Sequence, residues 1–253
     1  ARAPDGRLFD GSTDHRPDFT YWIVKFDTES NSDRDRIDPK GMPKIEYIYS
    51  QIARACEIEM PRTDFIADGK EFHFLVERFD RFADDDRMNK LHYGSWAGLA
   101  HADRDPVGTH SYEQLVLLAR QLGLGQDAVT QIFRRAVFNV VGRNQDDHTK
   151  NFGFLMDKAG KWSLAPAFDM SYQWDPAGKW TSAHQTRLNR RRDNFEREDL
   201  LSFGRYCNLS NRKSSAIISS TVDAFQQFSR FAREYGVAPE LAESVSKGLR
   251  LYL

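Results

Sequence analysis

Apolar and polar residues are patterned so that strand signals gather in the first third of the chain and helical signals in the rest. Tyr21 to Phe26 is a β-branched and aromatic run, as is Phe72 to Phe79, and such residues suit a pleated, half-buried surface. Between them Ile45, Ile48, Tyr49, Ile52, Ala53 and Cys56 recur at i, i+3, i+4, i+7, i+8 and i+11, which predicts an amphipathic helix. Asn31 to Lys44 is polar, carries Pro39, Gly41 and Pro43, and lacks either period, so it predicts a loop. Glu46 then falls in the first turn of the helix, where the helix dipole favours a negative charge.

Beyond residue 81 the 3.6-residue period dominates. Ser111-Tyr-Glu-Gln114 is a capping-box sequence, followed by Leu115, Leu118, Ala119 and Leu122 at helical spacing and by Gly123 as a stop. A second helix is predicted from Asp127 to about Val141, and others near Arg197 to Cys207, Arg212 to Tyr235 and Pro239 to Tyr252. Phe225, Phe228 and Phe231 share one stripe of the longest of these and read as core. Phe152 to Met156 and Trp162 to Ala165 flank the polar turn Asp157 to Lys161, which predicts a hairpin. Gly94 to Gly108 reads as a loop without assigned chemistry. The expected fold is α+β in two lobes, a strand-rich N-lobe over residues 1–81 and a larger, mainly helical C-lobe over residues 82–253.

Composition narrows the classes. A chain of 253 residues with 40% hydrophobic content can bury a large core. No apolar run is long enough to cross a bilayer and the start lacks a secretory hydrophobic segment, so the cytoplasm is expected and no membrane partner. Two cysteines are too few for a disulfide framework and read as buried apolar groups. A net charge of -1 provides no global field toward DNA or membrane. The basic stretch Arg187 to Arg192 is either a solvated run or a substrate-touching loop. His92, His101, His110 and His184 are isolated and show no zinc-ligand spacing.

The candidate chemistry lies in Asn144-Gln-Asp-Asp-His-Thr-Lys-Asn151 and in Asp169, which closes Leu164-Ala-Pro-Ala-Phe-Asp169. A loop of about five residues presents Asp146 and Asn151 to one point, and the hairpin returns Asp169 there. That is what metal-dependent phosphoryl transfer to a hydroxyl requires. Asp146 takes the hydroxyl proton, while Asn151 and Asp169 hold magnesium against the nucleotide phosphates, as in protein kinases. Asp and Asn are also ordinary turn formers. The apolar lead-in at Ile132 to Val141 and the strand-turn-strand exit set this loop apart from a bare turn.

These strings, with Val76-Glu-Arg-Phe-Asp-Arg81, Phe152-Gly-Phe and Arg192-Asp-Asn-Phe-Glu-Arg-Glu-Asp-Leu-Leu201, resemble the C-terminal kinase region of HipA-type toxins, serine/threonine kinases of type II toxin-antitoxin systems. The resemblance implies a two-lobed protein-kinase-like fold using ATP and Mg2+. Asp146 becomes the catalytic base, with His148 and Lys150 in the same catalytic loop, and Asn151 and Asp169 become the metal ligands. Lys25 becomes the phosphate-neutralising lysine, Glu46 its helix partner, and Glu77 and Phe79 the adenine-receiving hinge. The implied substrate is a protein, a translation factor such as an aminoacyl-tRNA synthetase. The implied partner is a small helix-turn-helix antitoxin, through which alone DNA is contacted.

In that family a glycine-rich phosphate loop carrying a regulatory serine precedes the lysine strand, and here its place falls at or before Ala1 to Gly6. Either the chain is a fragment or the loop is absent, and the lack of an initiator Met favours a fragment. Two other readings stay open: a kinase of a lipid or small-molecule alcohol, which shares the acid, amide and acid, and a nucleotide- or antitoxin-binding module without turnover.

Overall fold

The computed structural model describes residues 1–12, 16–27, 39–84, 87–103 and 105–253. In chain order these form β1 (Trp22–Lys25), α1 (Met42–Ala55), β2 (Thr63–Asp68), β3 (Glu71–Glu77), β4 (Arg81–Asp84), β5 (Arg87–Lys90) and β6 (His92–Ser95). Next come α2 (Trp96–Ala100), α3 (Tyr112–Gln121), α4 (Gln126–Val141), β7 (Gly153–Met156), β8 (Trp162–Leu164), α5 (Arg197–Tyr206), α6 (Asn211–Gln226), α7 (Phe228–Glu234) and α8 (Pro239–Gly248).

The first sheet is antiparallel with the order β1-β3-β2. Phe72, His73, Phe74 and Leu75 of central β3 are all buried. Because successive side chains point to opposite faces, both faces of that strand are covered. β6, β7 and β8 form a second antiparallel sheet, whose β7-β8 hairpin spans the predicted turn at Asp157 to Lys161.

Helix α1 joins the first sheet to the helical half. Ile45, Ile48, Tyr49, Ile52 and Ala53 are completely buried, facing β3 on one side and α6 and α7 on the other. Each fully buried aliphatic side chain of this size contributes about 2 kcal/mol. The resulting core runs from Ile45 through Phe133 and Phe154 to Phe225 without a break.

Several expectations are corrected. α1 begins at Met42 with Pro43 in its first turn, where proline's missing N–H is no loss, so the last residues of the predicted loop are helical. Residues 31–38 of that loop lie outside the described residues. Glu46 is therefore past the first turn, and the dipole argument for it fails. The predicted loop from Gly94 to Gly108 contains the end of β6 and all of α2. β6 pairs with β7, and α2 is capped by Ser95 Oγ accepting from Gly98 N at 3.1 Å.

The helix predicted from Arg212 to Tyr235 breaks at Gln227 into α6 and α7. The break lets both Phe225 and Phe228 meet Tyr49, with ring centroids 5.3 and 6.3 Å away, while Phe231 is only partly buried. β2, β4 and β5, short strands that no sequence pattern marked, complete the first sheet and a separate hairpin.

Candidate functional site

Three charged groups from distant parts of the chain meet where β1 faces α1. Lys25 Nζ lies 2.6 Å from Glu46 Oε1 and 2.5 Å from Asp169 Oδ1. Lys25 is carried by β1 opposite Phe74, and Glu46 by α1. The start of α1 is tied to the end of β1 by Gly41 N donating to Asp27 Oδ1 at 2.8 Å. Asp169 has a left-handed backbone with φ of 56°, a conformation that Asp enters more readily than most residues. Burial works against the Lys25 charge, but Glu46 and then Asp169 outweigh it and hold the ammonium above its ordinary value.

Beside this trio opens a cleft of about 430 Å³. Lys25, Glu46 and Asp169 form its polar end, and Glu77 and Phe79 also line it. Phe79, Tyr93 and Phe168 form an aromatic group at the wall, with Phe79 and Phe168 centroids 5.8 Å apart. Burial pushes the Tyr93 phenol up to about 12, so it remains a neutral hydroxyl. Glu77 already donates its backbone N–H to Arg62 O at 2.8 Å.

The loop bearing Asp146 leaves α4 at Gly142, where a Cβ would overlap the Phe225 ring. Tyr49 Oη donates to Gly142 O at 2.7 Å, fastening α1 to the loop's origin. At its far end Asn151 Nδ2 donates to Asp146 O at 2.8 Å. With the nitrogen so used, the amide oxygen is the end left to accept. Asn151 and Asp169 line one small cavity together with Asn144 and Asp147. An amide oxygen and a carboxylate are hard donors of the kind magnesium takes, and magnesium needs few protein ligands when phosphates and water complete its octahedron. The donor set therefore fits that ion.

Asp147, which the sequence offered only as a turn former, is the best-held residue of the loop. Fully buried, it accepts from Tyr112 Oη at 2.8 Å, His184 Nδ1 at 2.9 Å, Gln185 N at 2.8 Å and Thr186 N at 3.3 Å. Thr186 Oγ1 donates back to Asp147 O at 2.5 Å. The segment 184–186 is thereby strapped alongside the loop, and Gln185 Nε2 donates to Asp146 Oδ1. His184, isolated in sequence, is enclosed between Asp147 and Arg250, whose Nη1 lies 3.1 Å from its Nε2. No local spacing announces either residue, since the hydrogen-bond partners of their side chains lie 35 to 66 positions away.

The remaining expected residues divide. His148 Nε2 is 4.0 Å from Asp146 Oδ1, while its Nδ1 accepts from Lys150 N at 3.2 Å and caps the short turn Thr149–Asn151. Lys150 is exposed and outside the cleft lining. Within the basic stretch, Arg191 pairs with Asp199 at 3.2 Å and Arg192 donates to His184 O at 2.6 Å. These two arginines make structural contacts, although Arg191, like Arg187 and Arg190, is exposed.

The sequence matches the family of HipA-like C-terminal domains over residues 6–228. A curated Haemophilus influenzae protein with a provisional kinase name is 32% identical over 111 residues, covering 40% of this chain and 31% of that protein. A chain of the Shewanella oneidensis MR-1 complex of HipA, HipB and operator DNA superposes with a TM-score of 0.67 at 18% identity, over 89% of this chain and 55% of that one. The Helicobacter pylori proinflammatory kinase CtkA superposes with a TM-score of 0.50 at 14% identity, over 90% and 87%. The likenesses establish a kinase-like α+β fold. The chain spans about half of the Shewanella chain that it matches and about a third of the Haemophilus protein.

Proposed function

Because the chain belongs to the family of HipA-like C-terminal domains, we propose that it is the kinase part of an ATP- and magnesium-dependent serine/threonine protein kinase. The observation that carries this reading is the convergence of Lys25, Glu46 and Asp169 at the end of a cleft, with Asn151 sharing a cavity with Asp169.

Asp146 takes the proton of a serine or threonine hydroxyl as that oxygen attacks the γ-phosphorus, and ADP leaves. Lys25, oriented by Glu46, neutralises charge on the phosphates, and the aromatic group at Phe79 receives the base, with Glu77 beside it. Asn151 and Asp169 would hold magnesium, which would supply positive charge to offset the negative charge that develops on the transferred group. His148 and Lys150 belong to the loop's frame and rim.

The lobes meet near Arg81. The acceptor protein is a translation factor such as an aminoacyl-tRNA synthetase, and a small helix-turn-helix protein is the antitoxin partner. The presence of HipB and operator DNA in the Shewanella complex supports that partner. Its place is the cytoplasm in this reading; among the described residues no helix is long and apolar enough to cross a membrane.

Incubation with γ-labelled ATP, magnesium and cell extract tests the reading. Label is expected on protein serine or threonine, and label confined to lipids or small molecules would replace the protein acceptor with an alcohol of that kind.

A further inference from the structure

We propose that Gln185 is a positioning residue for Asp146, a role that rests on the kinase reading above. Asp146 sits in a loop and its carboxylate is partly exposed, at 22% of the side-chain surface. A carboxylate so placed rotates freely unless something holds it, and a base off its line of attack loses rate steeply.

Gln185 supplies the restraint. Its amide nitrogen donates to Asp146 Oδ1, and the residue itself is 4% exposed. Its own backbone is fixed by Asp147, which accepts the N–H groups of Gln185 and Thr186 and the His184 ring nitrogen. The side-chain contacts alternate along the strap: those of His184 and Thr186 reach Asp147, while that of Gln185 between them reaches Asp146. Adjacent aspartates thus divide the work, the buried one anchoring the strap and the exposed one receiving its amide.

The amide is also chemically suited. Glutamine donates without a charge of its own, so it orients Asp146 without forming the ion pair that a lysine or arginine would make there. Among the described residues the Gln185 Oε1 atom has no hydrogen-bond partner, whereas its Nε2 donates to Asp146 Oδ1.

The experiment is a double-mutant cycle on the whole chain, with γ-labelled ATP, magnesium and dephosphorylated casein as acceptor. Gln185→Met keeps the length and removes the donor, and kcat is expected to fall roughly ten- to hundred-fold, as for loss of a hydrogen bond to a charged group. The KM for ATP and the unfolding midpoint should stay unchanged. In an Asp146→Asn background the same substitution should have little further effect, because the group it orients is gone.

Equal losses in both backgrounds, a rise in KM matching the fall in kcat, or an unchanged kcat would each overturn the positioning role while leaving the kinase reading intact. Absence of transfer by the unmutated protein, or full transfer by Asp146→Asn, would overturn the kinase reading and this role with it.

Discussion

Lys25 and Asp169, separated by 144 positions, meet at 2.5 Å in the lining of the cleft. Glu46 holds the same ammonium at 2.6 Å, so one cation joins the first sheet, α1 and the segment after the β7-β8 hairpin. Lys25→Met keeps the apolar stem and removes the ammonium that bridges Glu46 and Asp169. Phosphoryl transfer should fall about hundred-fold. Denaturant unfolding should show a loss of about 1 kcal/mol, since the pair is only partly buried. Unchanged transfer would remove Lys25 from the reaction.

Asp146 and Asp147 should respond oppositely to substitution. Asp147→Ala strands Tyr112 Oη, His184 Nδ1 and two backbone N–H groups in a buried site and should cost about 3 kcal/mol or more in denaturant unfolding. Asp146→Asn keeps the volume at a partly exposed position and should change stability by no more than about 0.5 kcal/mol while cutting transfer about thousand-fold to a small measurable residue. Similar stability losses in both would contradict the division of roles.

His184 should give the fold a dependence on acid. Burial depresses it below its ordinary value of 6.5, and the proximity of Arg250 acts in the same direction, against the opposing pull of Asp147 and Asp193. The unfolded chain therefore takes up a proton on this ring at a higher pH than the native one. The stabilisation is complete above about pH 6.5 and is lost toward the depressed native value, with a limiting slope of about 1.4 kcal/mol per pH unit. Unfolding free energy measured from pH 7.5 to 5 should show a shallower slope in His184→Gln, and an equal slope would exclude the imidazole as the source.

Both thiols should be inert in the native protein. Burial raises Cys56 to about 11 and Cys207 to about 12, leaving almost no thiolate at neutral pH. A thiol reagent at pH 8 should modify neither until denaturant is added. Rapid labelling of the native protein would show that one of the two is accessible.

Local order was legible wherever a period ran long enough. The face of α1, the Ser111 capping box, α4 and the β7-β8 hairpin follow from spacing alone, and Gln114 Oε1 accepts Ser111 N at 2.9 Å as that box requires. The candidate loop was legible because it joins two such elements. β2 and β6 were not: they depend on β3 and β7 for their hydrogen bonds, and neither is flanked by a recognised turn such as the one that marks the β7-β8 hairpin. The break at Gln227 serves packing on α1 that no local sequence announces. Asp147 and Gln185 were missed for the same reason, because their importance resides in contacts formed only once the strap lies beside the loop.

The most direct test of the central claim is transfer of label from γ-labelled ATP to protein by the unmutated chain and by Asp169→Asn, each with magnesium and with chelator. Phosphoserine or phosphothreonine is expected from the unmutated protein with magnesium alone, and none from a folded Asp169→Asn. Undiminished transfer by that variant, or by the unmutated protein in chelator, would contradict it.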